Sequence, residues 1–124
     1  MTSVLIVDDD PATLALMDAV FATGNFETRK ADGPTQALEI LMRWTPDVIL
    51  LDIQLQGLDN GLEFARRLKA NVATRRLPII AFTAFSERWS EAEARAAGCD
   101  GFLEKPITAD MLTSAVRKAV EKAS

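Results

Sequence analysis

Three short stretches, Val4–Val7, Val48–Leu51 and Leu77–Phe82, are apolar without polar alternation. Runs of that length and character suit strands covered on both faces, as in a parallel sheet. Phe26–Ala31 is more polar and Gly101–Leu103 is brief, which predicts two edge strands. Helical patterns separate the runs. Asp10-Pro11 supplies a capping side chain and then proline at the first helical position, and Leu14, Met17, Val20 and Phe21 form one apolar stripe ending at Gly24-Asn25. Gly33-Pro34 opens a second helix with Ala37, Leu38, Leu41 and Met42 as its apolar set, stopped before Pro46. A third starts near Gly61 with Leu62, Ala65 and Leu68 inward, and a fourth lies between Ser86 and Ala97, closed by Gly98. The last begins near Thr108, and Met111, Leu112, Ala115, Val116, Ala119 and Val120 give it the cleanest period.

Strict strand–helix alternation implies an α/β protein: a doubly wound, five-stranded parallel sheet with right-handed crossovers. The most apolar strands come first, third and fourth in the chain. A strand order of 2-1-3-4-5 buries those three and leaves the two weaker ones at the edges. With 124 residues and no linker or repeat, the chain reads as one domain over 1–124.

Charge and rare residues narrow the function. Lys+Arg is 14 and Asp+Glu is 18, a net charge of −4, which argues against direct nucleic-acid binding. Histidine is absent, so Ser-His-Asp and Cys-His catalysis, histidine-based zinc sites and a phosphohistidine carrier role are excluded. Cys99 is the only cysteine; no intramolecular disulfide can form, and it reads as a small buried residue. No apolar run is long enough to cross a bilayer and the N-terminus lacks a basic leader, so the expected setting is cytoplasmic and away from membranes.

In an open parallel sheet, ligands bind beyond the carboxyl ends of the strands where strand order reverses. Asp8 and Asp9 follow the first strand, Asp52 the third, Thr83 and Ala84 the fourth, and Lys105-Pro106 the fifth. Three carboxylates in one partly desolvated cleft repel one another and call for a cation. Oxygen donors with water in the remaining positions suit Mg²⁺, and a lysine and a hydroxyl beside it could contact an anion docked there. The constellation serves phosphoryl transfer.

The segments Leu5-Ile6-Val7-Asp8-Asp9-Asp10-Pro11, Val48-Ile49-Leu50-Leu51-Asp52, Pro78-Ile79-Ile80-Ala81-Phe82-Thr83-Ala84 and Gly101-Phe102-Leu103-Glu104-Lys105-Pro106 resemble the receiver domain of bacterial two-component response regulators. The likeness covers essentially the whole chain. It implies a flavodoxin-like (βα)5 fold and a phosphorelay role in which Asp52 accepts a phosphoryl group from a phosphohistidine on a histidine kinase or histidine phosphotransfer protein. By the same resemblance Asp8, Asp9, Asp52 and the Gln54 carbonyl hold Mg²⁺, Asp8 through water. Thr83 hydrogen-bonds the phosphoryl group, Lys105 pairs with it, and the Ala84 amide completes the cradle. The Lys105–Pro106 bond is expected to be cis. Phe102 takes the aromatic switch position, so that a face made by the fourth helix, fifth strand and fifth helix changes shape and engages a downstream target protein. The chain would then be no enzyme beyond its own phosphorylation and dephosphorylation at Asp52. It departs from the family in having Gln56 where proline is common, a loop to Gly61 longer by one residue, and Phe102 for the commoner tyrosine.

Two rival readings use the same residues. Asp8-x-Asp10 resembles the nucleophile motif of haloacid-dehalogenase-type phosphatases, with Asp8 phosphorylated and Asp10 as general acid. Against it, Ala12 stands where that family prefers Thr or Val, its late acidic pair is missing, and the chain is short for it. Asp10 is more simply a helix N-cap. A pseudo-receiver, a binding module without phosphorylation, is the other rival, although every expected site residue is present. Phe85, Arg88 and Trp89 stand near the start of the fourth helix, either as partner contacts or as cover for its alanines. The chain stops about where the last helix ends, which leaves a stand-alone receiver and a piece of a larger regulator both open.

Overall fold

In a computed structural model that describes residues 1–53, 61–83, 91–104 and 106–123, the strands are β1 (Thr2–Val7), β2 (Phe26–Ala31), β3 (Val48–Asp52), β4 (Ile79–Thr83) and β5 (Gly101–Glu104). They alternate with α1 (Pro11–Ala22), α2 (Pro34–Leu41), α3 (Gly61–Ala70), α4 (Glu91–Ala96) and α5 (Ala109–Ala123). All pair in parallel, in the order β2-β1-β3-β4-β5. The expected fold class is therefore the observed one. Every residue of β3 and β4 is buried, whereas β2 and β5 are mostly half-buried or exposed.

Alternation along the strands splits the core in two. Val4, Ile6, Val48, Leu50, Ile80 and Phe82 face α1 and α5 through Met17, Phe21, Leu112 and Val116. Leu5, Val7, Ile49, Leu51 and Ala81 face the other way, onto Ala37, Leu62, Phe64, Leu68, Ala94 and Ala97 of the remaining helices and their ends. A sheet with apolar residues on both faces has to be sandwiched, which is why the central strands carry no polar alternation.

Local chemistry sets several boundaries. The Asp10 carboxylate caps α1, accepting from the Ala12 amide at 3.1 Å and the Thr13 hydroxyl at 2.8 Å, and Pro11 opens the helix. Asp18 fastens α1 to β2: it accepts from the Thr28 hydroxyl and pairs with Lys30 at 3.4 Å. The Thr28 hydrogen bond, aided by Lys30 and opposed by burial, holds the Asp18 carboxyl below its ordinary value. Gly98, at φ 100°, turns the chain out of α4 in the left-handed region that favours glycine.

Packing rather than periodicity orients α2 and α4. In α2 the expected apolar set is split: Ala37 is buried and Leu41 partly so, together with Ile40, but Leu38 is exposed and Met42, just past the helix, is 85% exposed. The helix is turned so that Ala37, Ile40 and Leu41 meet the sheet. In α4 only Ala94 is buried, with Ala97 following it, while Ala92 and Ala96 face solvent. Where this helix begins, and the side chains Phe85, Arg88 and Trp89, lie outside the described residues.

Candidate functional site

Strand register assembles the site. Val7 pairs with Leu51, so Asp8 and Asp52 leave adjacent strands at the same level. Asp52 in turn pairs with Phe82, which places Thr83 one step beyond it on β4. Asp8 and Thr83 are fully buried and Asp52 nearly so, whereas Asp9 is half-buried at the mouth. One oxygen from each of Asp8, Asp9 and Asp52 lies within 4.8 Å of the others. The notch lies at the carboxyl ends of β1 and β3, where chain order reverses.

Backbone contacts fix the walls. The Asp8 amide donates to the Ala31 carbonyl at 3.1 Å, and the Asp10 amide donates to Asp8 Oδ1 at 2.8 Å. The second contact ties Asp8 Oδ1 to the backbone just before α1, the helix that Asp10 caps. Both Asp10 carboxylate oxygens accept from the first turn of α1, the geometry of the helix N-cap expected for it. On the far side Ile53, fully buried, donates its amide to the Phe82 carbonyl at 3.1 Å and so ties the residue after Asp52 to β4.

The donor set fits a hard divalent cation. Like charges within 4.8 Å of one another repel by about 3 kcal/mol or more per pair at an effective dielectric near 20. Carboxylate oxygens at this spacing can share one small ion, and Mg²⁺ accepts such a set with water in its remaining positions. Asp8, Asp9 and Asp52 would hold it.

Of the residues singled out from sequence, Asp8, Asp9, Asp52 and Thr83 gather at one end of the sheet. Phe102 sits on β5 opposite Ala81, partly buried and packed against the core face that includes Ala94 and Ala97. Gln54, Ala84, Lys105 and the Lys105–Pro106 bond lie outside the described residues. Cys99 is buried as expected, and burial pushes its thiol up to about 11, with the neighbouring Asp100 charge adding to the shift.

Sequence reasoning read Gly61 only as a helix opener. A Cβ at that position would come 2.3 Å from the Asp52 carbonyl oxygen and 2.4 Å from Ile53 Cα, so α3 begins in direct backbone contact with the strand end that carries Asp52. The Gly61 amide also donates to the Ile53 carbonyl at 3.2 Å. A glycine as the first residue of a helix was the available signal.

Comparison with known proteins gives a consistent picture. A model of the response regulator receiver domain matches residues 4–117. The polar-differentiation response regulator DivK of Brucella ovis is 35% identical over 106 residues, covering 86% of this chain and 85% of that protein. The response regulator PleD of Caulobacter vibrioides is 38% identical over 115 residues; the match takes in 92% of this chain and only 25% of PleD. Among solved structures, the receiver domain of a sensor histidine kinase from Pseudomonas aeruginosa, determined with magnesium coordinated in its active-site cleft, superposes with a TM-score of 0.86 at 26% identity, covering 97% of this chain and 98% of that one. A CheY-like receiver domain protein from Methanospirillum hungatei gives 0.89 at 20% identity over 99% of this chain and 96% of that one, a likeness of fold. No helix among the described residues is long and apolar enough to cross a membrane.

Proposed function

The chain belongs to the response regulator receiver domain family, and from that premise we propose that Asp52 is its phosphoacceptor, charged by a phosphohistidine on a histidine kinase or histidine phosphotransfer protein. The observation that carries this reading is the meeting of the Asp8, Asp9 and Asp52 carboxylates within 4.8 Å at the strand ends.

The Asp52 carboxylate attacks the donor's phosphorus. A P–O bond forms to Asp52, the N–P bond breaks, and its electron pair returns to the imidazole nitrogen. Mg²⁺, when bound, supplies the positive charge that lets an anionic nucleophile approach an anionic phosphoryl group. Asp8, Asp9, Asp52 and the Gln54 carbonyl would hold the ion. Lys105 pairs with a phosphoryl oxygen, Thr83 donates its hydroxyl to another, and the Ala84 amide takes the third. Burial of Asp8 and Thr83 keeps bulk water from the back of the notch.

Signalling starts from the acyl phosphate. Thr83 moves toward it, vacating space at the end of β4 that the neighbouring Phe102 can fill, and the surface of α4, β5 and α5 is reshaped. The described part of α4 suits this motion: it is short and buries little apolar surface.

A helical donor fits the surface beside the notch. The outward positions of α1, which starts three residues after Asp8, are Pro11, Ala12, Ala15, Leu16, Ala19 and Ala22, without a charge among them. Leu16 is 67% exposed. Small residues let a second helix approach closely, and Leu16 supplies an anchor.

The test is to treat the chain with acetyl phosphate and Mg²⁺, trap the acyl phosphate by borohydride reduction, and locate it by mass spectrometry. Label on Asp52, abolished in Asp52→Asn, is expected. Label on Asp8 would refute the assignment.

A further inference from the structure

A concentration of positive charge in this acidic chain lies along β5 and α5, in a groove whose lining includes none of the notch carboxylates. A groove of about 1030 Å³ runs along the outer edge of β5, between α5 and the connection from α3 to β4. Six cationic side chains line it, Lys69, Arg75, Arg76, Arg95, Lys118 and Lys122, against only Asp100 and Asp110. The whole chain has a net charge of −4.

Two of the six are already engaged. Lys69 pairs with Asp100 at 3.2 Å and also donates to the Leu77 carbonyl at 2.9 Å, while Arg95 pairs with Glu91 at 2.9 Å. Arg75, Arg76, Lys118 and Lys122 make no ion pair among the described residues. They come from two separate elements and converge on one groove. Six cations set against two carboxylates, one of them already paired with Lys69, leave an excess of like charge that an anionic ligand relieves.

The floor is apolar: Ile80, Phe102, Leu103, Met111 and Ala115 all contribute. Met111, which sequence periodicity placed inward, is 41% exposed there. Gly101 adds no side chain to the strand edge, so the floor is open where β5 begins. β5 is the last strand of the sheet, with no strand beyond it among the described residues. An apolar floor under a basic rim matches neither a small inorganic anion nor a nucleic-acid backbone, which would want an extended basic track with aromatic platforms for bases.

We infer that this groove docks an acidic segment of a partner protein, with apolar side chains on the floor and carboxylates facing Arg75, Arg76, Lys118 and Lys122. The inference rests on the reading of α4, β5 and α5 as the output face, and it adds the chemistry of what that face receives. Phe102 belongs both to the floor and to the switch, so occupancy of the groove and the state of Asp52 are coupled.

The experiment is an amide-resolved NMR titration of the isotope-labelled chain with a short synthetic peptide of Glu, Asp and Leu. It is run beside the same peptide with Lys at every acidic position and a thymidine oligonucleotide of similar length. The acidic peptide is expected to shift the amides of Gly101, Phe102, Leu103, Arg75 and Lys118, with binding that weakens as salt rises. The charge reversals Arg76→Glu and Lys118→Glu together should weaken it about tenfold while leaving acetyl phosphate labelling of Asp52 unchanged. Absence of shifts, equal binding of the lysine peptide, tighter binding of the oligonucleotide at the groove, or self-association through these residues as the chain is concentrated would each overturn the docking inference. Peptide binding that is indifferent to phosphorylation of Asp52 would leave the groove standing and refute the output-face reading instead.

Discussion

Gly61→Ala puts one methyl group between α3 and the backbone that presents Asp52. The added Cβ would lie 2.3 Å from the Asp52 carbonyl oxygen, 2.4 Å from Ile53 Cα and 2.9 Å from the Asp52 carbonyl carbon. All three are main-chain atoms held by the sheet, so no side-chain rotation relieves the clash. Two effects compete. Alanine gains about 0.4–1 kcal/mol over glycine by restricting the unfolded chain. Forcing a methyl group into a packed site costs about 1–3 kcal/mol. The overlap is with backbone, so the cost wins, and a net loss of roughly 1–2 kcal/mol lowers the melting midpoint by about 3–10 °C for a domain of this size. Shifting the Asp52 peptide by a few tenths of an ångström also misplaces the nucleophile, so labelling from acetyl phosphate should slow by about tenfold or more. Thermal denaturation and timed labelling measure both. Gly33→Ser is the control, because nothing lies within 4 Å of a Cβ there and serine is a good helix cap, so it should be neutral. A Gly61→Ala protein as stable and as fast as the parent would refute the claimed contact.

Leu16→Arg should leave acetyl phosphate labelling intact yet slow phosphotransfer from a histidine donor about 10- to 100-fold, the value of one buried leucine at an interface; equal losses with both donors would show that α1 is not the docking helix. Cys99 should react with aromatic disulfide reagents far more slowly in the native chain than in urea. Its folded pKa of about 11 lies above the ordinary 9.0. Above pH 9 the unfolded state therefore loses its thiol proton first, and stability falls by roughly 2–3 kcal/mol as pH rises through 11. Cys99→Ala should flatten that part of the pH–stability profile measured in urea, and an unchanged slope would contradict the assigned cause.

The sheet was legible because burial on both faces writes uninterrupted apolar runs into β1, β3 and β4, and because β2 and β5 are visibly weaker. Once strand order was inferred, Asp8, Asp9, Asp52 and Thr83 fell at strand ends without further information. α2 was harder. Ala37 and Leu41 form one i, i+4 pair and Leu38 and Met42 the next, so the helix carries two adjacent apolar stripes, and only packing decides which one turns inward. In α4 alanines occupy both buried and exposed positions, and alanine gives too little contrast between faces to orient a helix. The role of Gly61 was hidden for a different reason: a close approach between distant backbones leaves only a glycine in the sequence, and glycine has many causes. The basic groove was also invisible, because Arg75 and Arg76 precede Lys118 and Lys122 by some forty residues and no local pattern joins them.

The central claim is that Asp8, Asp9 and Asp52 act as one site for one divalent ion. Isothermal titration of Mg²⁺ into the parent chain, Asp9→Asn and Asp52→Asn measures this directly. The account predicts a single ion per chain for the parent and affinity lower by at least about tenfold in each variant, since each substitution removes a charged ligand. Parent-like Mg²⁺ affinity in both variants would contradict it.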